Sequence, residues 1–296
     1  MTGRERGFLL LRSQLGDPER KPLTQAQLRD LRERVRKGPR VREARELETA
    51  DLMALDYDMD FAQRVVQLLS EEAALDRYLA WGESLGCVPI AQVSDRYPVR
   101  VLSCLGGDAP GCLWAKGDLS ILTGEKIALV GCRDLQIPNA QFAKQVGRFA
   151  AEQELVLVSG NARGADKVAQ EACLDYGGRV ISVVADELEN QRYHDKILYL
   201  SEEGFDLGFS AQRALSRNRV IHCLPAAVLV AQCTYGKGGT WDGTTQNLAK
   251  GWSGVCCFSD GSRAMTELSQ RGAQLLNVND LTDLATLKPQ RNLFDQ

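Results

Sequence analysis

Short apolar runs of strand length alternate with amphipathic segments from about residue 126 onward. None of these runs alternates polar with apolar positions, which is typical of strands that are covered on both faces of a sheet. Between two of them, Phe142, Val146 and Phe149 recur at the spacing of one helix face. The pattern predicts an α/β fold built on a doubly wound, mostly parallel sheet. The predicted strands are residues 127–130, 155–158, 180–184, 227–231, 255–258 and 275–278.

The first part of the chain has helical patterns without strand patterns. Thr24 and Gln27 have the spacing of a capping box, and Asp60 with Gln63 repeats it ahead of a second amphipathic stretch. We therefore expect a small helical domain to precede the α/β domain. The predicted division is a helical N-terminal domain at 1–86, the α/β domain at 87–286 and a loose polar tail at 287–296.

The composition predicts a soluble globular protein located in the cytoplasm. The chain has 296 residues, 44% of them hydrophobic, and no apolar run approaches the ~20 residues that a membrane span needs. Its nine cysteines include no CxxC pair, so we expect reduced cysteines in the core. No metal or redox cofactor is implied.

The net charge of -3 excludes a uniformly basic nucleic-acid-binding protein, so local clusters of charge matter more than the total. Residues 29–45 contain eight basic and three acidic side chains. This segment is either a phosphate-facing surface or an ordinary solvated helix and loop.

Three glycine-rich loops follow predicted strands, at the edge of the sheet where ligands bind in such folds. They read VGCRD (130–134), SGNARGAD (159–166) and TYGKGGTWDGTT (234–245). Glycines allow the backbone to approach a ligand, and free N–H groups at a helix start attract phosphate. A single loop of this kind is usually only a turn, but three in one sheet predict a ligand that bears phosphate.

A fourth segment, at 209–224, places Arg213, Arg217, Asn218 and Arg219 before an apolar stretch. These arginines either hold a loop through carbonyls and carboxylates or form the basic wall of the same cleft; we favour the wall. Asp166 is expected to fix the SGNARGAD turn, and the missing Cβ of Gly164 to admit a phosphate. The predicted phosphate contacts are Gly131, Arg133, Ser159, Gly160, Arg163, Gly164, Asp166, Arg217, Asn218, Arg219, Lys237, Gly238, Gly239 and Thr240.

Several motifs, in order, resemble those of the DprA (Smf) DNA-processing proteins. The chain has VGCR at 130–133 where the family has VGSR, SGNARGAD at 159–166 where it has SGxAxGID, SEEG at 201–204 for SExP, and SRNRVI at 216–221 for RNRxI. The resemblance covers roughly residues 60–285, within the SLOG superfamily. It implies an extended Rossmann-like core that binds single-stranded DNA, forms a homodimer, and in the transformation proteins helps load the recombinase RecA.

The chain also departs from the family pattern. Gln170 stands where the family usually has histidine, and GKGGTWDGTT replaces a loop that often has a Ser-Gly and Thr-Ala signature. Because few residues follow LNVNDLTDL in this sequence, we expect a member without the winged-helix domain that many members have. We therefore expect a divergent member that acts in DNA processing or recombination, while its recombinase partnership stays open.

Other functions remain open from the sequence. LOG-type N-glycosidases of the same superfamily use a PGGxGTxxE loop, but Gly243 stands where that pattern has its glutamate, and Asp242 is expected to cap a helix. His222 is expected to be a structural histidine, and no catalytic residue is assigned. The chain is therefore predicted not to be an enzyme. It could instead be a nucleotide-binding sensor, or an antitoxin or regulatory partner of a toxin in a phage-defence pair.

Overall fold

A computed structural model describes residues 1–38 and 47–287. The predicted tail beyond residue 287 and most of the second half of the basic segment 29–45 lie outside the described residues. The helices are α1 (Gly3–Arg12), α2 (Gln25–Lys37), α3 (Thr49–Met53), α4 (Met59–Ser70), α5 (Glu72–Ser84), α6 (Val99–Leu105), α7 (Ile137–Glu152), α8 (Ala165–Asp175), α9 (Ala211–Cys223), α10 (Gly238–Lys250) and α11 (Arg263–Gln270). The strands are β1 (Cys87–Ala91), β2 (Cys112–Lys116), β3 (Lys126–Val130), β4 (Val156–Ser159), β5 (Arg179–Val184), β6 (Ile197–Glu202), β7 (Ala227–Val230), β8 (Gly254–Phe258) and β9 (Gln274–Leu276).

The strands form one sheet in the order β1-β2-β6-β5-β4-β3-β7-β8-β9. The pairs β1–β2 and β2–β6 are antiparallel and all the others are parallel, so the predicted α/β fold with a mostly parallel sheet is confirmed. Each predicted strand is present, with its ends within two residues of the prediction.

Three strands at one side of the sheet were not predicted. β1 contains Pro89, which suits an edge strand because proline has no N–H to donate. β6 is buried along its whole length, but it ends in Ser201 and Glu202. Because of these polar residues, the hydrophobic pattern did not predict a strand there. The antiparallel β1 and β2 extend the parallel sheet beyond β6.

Two apolar clusters cover the two faces of the sheet. On one face, α7 and α8 pack with side chains such as Phe142 and Ala169, and α1 and α5 add Leu9 and Tyr78 to the same cluster. On the other face, the cluster includes Val101 of α6 together with residues of α9, α10 and α11. The core therefore lies on both sides of the sheet, which leaves the carboxyl edge of the parallel strands for loops.

The N-terminal helices also have a cluster of their own, which includes Leu28 and Val65. Thr24 caps α2 through the predicted capping box with Gln27. The box predicted at Asp60 is wrong, because Asp58 is the cap of α4 and Asp60 lies in the first turn. Since α1 and α5 share the cluster of the sheet, the division at residue 86 stays a prediction.

Within residues 1–38 and 47–287, no helix is both long and apolar enough to span a membrane. The nine cysteines are all free thiols, and most of them are buried.

Candidate functional site

A cleft of about 470 Å³ opens at the carboxyl edge of the sheet, between the loops after β3 and β7 and one side of α9. The strand order explains its place, because β3 and β7 are neighbours at the point where the order of strands reverses, and ligands bind at such points in open α/β sheets. The predicted contact residues that line the cleft are Gly131, Arg133, Asp166, Arg217, Asn218, Lys237, Gly238, Gly239 and Thr240. Those that do not line it are Ser159, Gly160, Arg163, Gly164 and Arg219.

The turn after β4 is held by Asp166, in the role expected for it. Its Oδ2 accepts hydrogen bonds from the backbone N–H groups of Gly160 (3.1 Å) and Ala162 (3.2 Å). Burial raises the pKa of Asp166, while the charge of Arg217 and the two amide donors act in the opposite direction. The carboxylate is therefore engaged by the turn itself.

Gly164 is needed by the backbone and not by a ligand. Its φ is +88°, and a Cβ at this position would lie 2.3 Å from the carbonyl oxygen of Arg133 and 2.4 Å from that of Cys132. The turn after β4 thus packs directly against the loop after β3. The expectation that the missing Cβ admits a phosphate is corrected: it admits the neighbouring loop.

Ser159 and Gly160 were also expected to contact phosphate, but in the structure they contact other residues of the protein. The Ser159 side chain is fully buried, and its hydroxyl accepts a hydrogen bond from Nε2 of Gln170. Gln170, at the usual histidine position, also donates to the Ser182 hydroxyl at 3.4 Å. The N–H of Gly160 is bonded to Asp166, and the guanidinium of Arg217 lies where its Cβ would be. Ser159 and Gly160 therefore lie behind the residues that line the cleft and support them.

Arg217 is the arginine of α9 that faces the cleft. Its Nη1 donates to the carbonyl of Val183 at 3.2 Å, and its buried Nε has no hydrogen-bond partner within the described part of the chain. Burial lowers the pKa of Arg217, and the nearby Asp166 carboxylate opposes that shift. The Arg217 cation is thus held in place with donor capacity left over.

The other arginines expected in a basic wall lie elsewhere. Arg213 donates to the carbonyls of Ala185 and Gly208 and to the Ser201 hydroxyl, so the loop-holding interpretation is right for it. Arg219 folds back onto Ser216 and lines a smaller pocket, which adjoins the cleft at Leu215 and Asn218.

Arg163 is also outside the cleft. It is exposed, and its Nη2 lies 2.8 Å from a carboxylate oxygen of Asp134. Arg163 thus adds a positive charge near the cleft, but the carboxylate of Asp134 offsets that charge.

Two cations at the cleft are unpaired. Arg133 and Lys237 are exposed, and neither has a hydrogen bond or ion pair from its side chain to any residue in 1–38 or 47–287. Lys237 immediately precedes α10, whose first turn contains no acidic residue. The first N–H groups of a helix lack partners inside the helix and attract anions. The cleft therefore combines two free cations with a positive helix end.

The loop before α10 and its first turn are fixed by side chains on both sides. Thr240 Oγ1 donates to the carbonyl of Gly131 at 3.0 Å. Asn218 Nδ2 donates to the carbonyl of Gly239 at 3.2 Å. These contacts link the helix start to β3 and α9, so the predicted residues Gly131, Asn218 and Thr240 act through positioning in this structure.

The cleft is also lined by exposed apolar side chains, which the sequence pattern did not predict. Phe209 and Leu215 line the cleft although 61% and 51% of their surfaces are exposed. The sequence contains a feature that could have indicated this apolar lining: Leu215 lies off the face of α9 that buries Val220 and Ile221. The lining of the cleft thus combines cationic and apolar side chains.

One carboxylate, Asp166, and one imidazole, His222, line the cleft, and both are engaged by other residues of the protein. Asp242 lies inside α10, not at its cap, and it lines an adjoining pocket with Arg219. Burial lowers the pKa of His222 to about 4, and its Nδ1 lies 3.1 Å from Nδ2 of Asn247. His222 is thus a neutral structural residue, and the described residues contain no cluster able to hold a metal ion.

Comparison with known proteins gives a family match over most of the α/β part. The family described as DNA recombination-mediator protein A matches residues 89–285. The DNA processing protein DprA of Streptococcus pneumoniae is 36% identical over 141 residues, which make up 44% of this chain and 50% of that protein. The chain spans about half the length of the curated relatives that it matches.

Two solved structures have the same fold. The DprA structure from Streptococcus pneumoniae superposes with a TM-score of 0.61 at 23% identity, over 88% of this chain and 97% of that one. A Helicobacter pylori DNA processing protein A, described for its single-stranded DNA binding mode, has a TM-score of 0.56 at 23% identity, over 65% and 92%. The sequence match over residues 89–285 and this shared fold lead to one conclusion: the chain belongs to the DNA recombination-mediator protein A family, the DprA/Smf proteins.

Proposed function

We propose that this protein binds single-stranded DNA in the cleft at the carboxyl edge of its sheet and acts in DNA processing or recombination. The observation that supports this most directly is the pairing of two unpaired cations, Arg133 and Lys237, with the exposed apolar side chains of Phe209 and Leu215. Phosphates suit the two cations, and unstacked bases suit the apolar side chains.

A single strand fits this cleft better than a duplex. Paired bases are stacked inside a duplex and do not offer their faces to Phe209, whereas a single strand offers both bases and phosphates. The similar Helicobacter pylori protein is described as binding single-stranded DNA. The family relationship extends the proposal to a homodimer and a recombinase partner, and light scattering and co-sedimentation would test those two parts.

We further propose that the protein is not an enzyme. Asp166 is the carboxylate that lines the cleft, and its Oδ2 is already occupied by two backbone amides. Glycosidic cleavage needs a carboxylate free to act on the sugar or the leaving base. The protein would then hold its ligand without converting it.

Salt-dependent binding tests the proposal. Each phosphate that a cation neutralises on a single strand contributes about 0.7 to the slope of log affinity against log salt. We expect Lys237→Ala and Arg133→Ala to lower this slope, because both side chains are unpaired. Arg163→Ala is the matched control, since Arg163 is already paired with Asp134 and lies outside the cleft. Equal slopes in the wild type and in all three variants would contradict the cleft as the DNA site.

A nucleotide-binding sensor is the second candidate, because a cleft of about 470 Å³ has the size of a small-molecule site. Competition distinguishes the two. Excess AMP or ADP-ribose should displace a labelled oligonucleotide only weakly if the site follows a strand. Full displacement by a mononucleotide, together with affinity that does not grow with oligonucleotide length, would favour the sensor.

A further inference from the structure

An arginine stacked on a tyrosine lies beside the cleft. The guanidinium carbon of Arg263, the first residue of α11, is 4.0 Å from the ring centroid of Tyr235. Tyr235 in turn packs edge-on against Trp241, with centroids 5.0 Å apart. Tyr235 lies between Thr234 and Lys237 in the chain, and both of these line the cleft. The stacked pair therefore adjoins the cleft on the side of α10.

Arg263 has no acidic partner among the described residues. Asp260, the acidic residue nearest to Arg263 in the sequence, accepts hydrogen bonds from the Ser262 N–H and from Nδ2 of Asn139. Arg263 is exposed, and its guanidinium lies over the ring of Tyr235. It is a pre-oriented cation without a counter-charge.

The position of Arg263 in its helix also lacks a stabilising explanation. A cation at the first turn of a helix faces the positive end of the helix dipole, and α11 has no acidic residue in that turn. Arg271, at the other end of the same helix, provides the contrast. It lies over Trp241 at 5.5 Å, but it pairs with Glu267 at 3.0 Å and sits where the dipole favours a cation.

We propose that Arg263, held by Tyr235, contacts a backbone phosphate of the strand after it leaves the cleft. This inference rests on the proposed function and adds a direction to it: the strand crosses the start of α10 beside Lys237 and continues toward α11. The contact with the Tyr235 ring already limits the freedom of the Arg263 side chain, so less of that freedom is lost when a phosphate binds. The contact reads the backbone and not the base sequence.

The first test compares two arginines of the same helix. Arg263→Ala should lower the log-log salt slope by about 0.7, so that the ratio of affinities at 50 mM and 200 mM salt falls about 2.6-fold. Arg271→Ala should leave the slope unchanged, because its charge is already paired. The loss should be the same for oligonucleotides of different sequence. It should disappear for oligonucleotides too short to extend beyond the cleft.

A second pair of variants tests the role of the tyrosine. Tyr235→Leu keeps the charge of Arg263 but removes its ring support, so we expect weaker binding with a slope close to the wild type. Tyr235→Phe keeps the ring and should bind like the wild type. Thermal unfolding of each variant shows whether the fold is intact.

The outcomes separate this inference from the proposed function. If Lys237→Ala lowers the slope and Arg263→Ala does not, the cleft binds DNA and the Arg263 contact is wrong. If the wild type itself does not bind single-stranded oligonucleotides, the proposed function fails and this inference fails with it. A slope change in Arg271→Ala equal to that in Arg263→Ala would also overturn it, because the effect would then reflect total charge.

Discussion

Replacing Gly164 with alanine is the sharpest test of how the cleft is built. The backbone there has φ +88° and ψ -125°, a combination that residues with a Cβ scarcely adopt. The Cβ of alanine would also lie 2.3 Å from the Arg133 oxygen and 2.4 Å from the Cys132 oxygen. Close carbon to oxygen contacts are normally about 3.3–3.6 Å, so the two loops would have to separate by roughly 1 Å.

Two costs add in this variant. The unfavourable backbone conformation costs about 1–3 kcal/mol. Forcing an extra methyl group into a closed contact costs about another 1–3 kcal/mol. We therefore expect Gly164→Ala to lower the free energy of unfolding by about 2–6 kcal/mol, a large fraction of the ~5–15 kcal/mol that a native protein has.

The control for this prediction is Gly261→Ala. Gly261 has φ +74°, but a Cβ there would meet no atom within 4 Å. Its cost should be limited to the backbone conformation, about 1–2 kcal/mol. Urea unfolding of both variants, followed by circular dichroism, measures the difference. If Gly164→Ala is as stable as the wild type, or no less stable than Gly261→Ala, the two loops do not pack as described.

Two further predictions concern carboxylates. Burial raises the pKa of Glu202 to about 7. The stability that its protonated carboxyl contributes is therefore complete at pH values below the pKa of this carboxyl in the unfolded chain, and it is lost as the pH rises through about 7. Urea unfolding across that range should show this fall in the wild type and a smaller one in Glu202→Gln; equal falls would contradict the assignment. Incubation with nucleoside monophosphates or NAD should release no free base above a buffer control, because Asp242 lies outside the cleft. Release that Asp242→Asn abolishes would instead establish a glycosidase.

Every parallel strand except β6 could be predicted because each of them is a local apolar run. A strand buried on both faces needs apolar side chains at successive positions, and 127–130 and 227–231 have them. The parallel strand β6 and the antiparallel strands β1 and β2 could not be predicted in the same way. β1 includes Pro89 and β6 ends in Ser201 and Glu202, and only pairing with neighbouring strands makes strands of them.

The chemistry of the loops was likewise visible in the chain, but the direction of each side chain was not. Arg213, Arg217 and Arg219 look equivalent in the sequence. On α9, Arg219 is two residues beyond Arg217, which turns it by about 200° to the other side of the helix. Arg213 shares the side of Arg217 but meets the carbonyls after β5 and β6. Arg217 alone of the three therefore reaches the cleft.

Glycine-rich turns after strands indicate a phosphate site because of their backbone freedom, and that freedom is a property of the sequence alone. Whether a given glycine faces a ligand or another loop depends on what packs against it. Gly164 meets the loop after β3 and Gly160 meets Arg217, whereas Gly238 has a positive φ and open space around it at the start of α10. The residue types that make a phosphate site possible are local properties of the chain. The choice of which of them face the cleft depends on contacts between segments far apart in the sequence, since those contacts set where each backbone and side chain can lie.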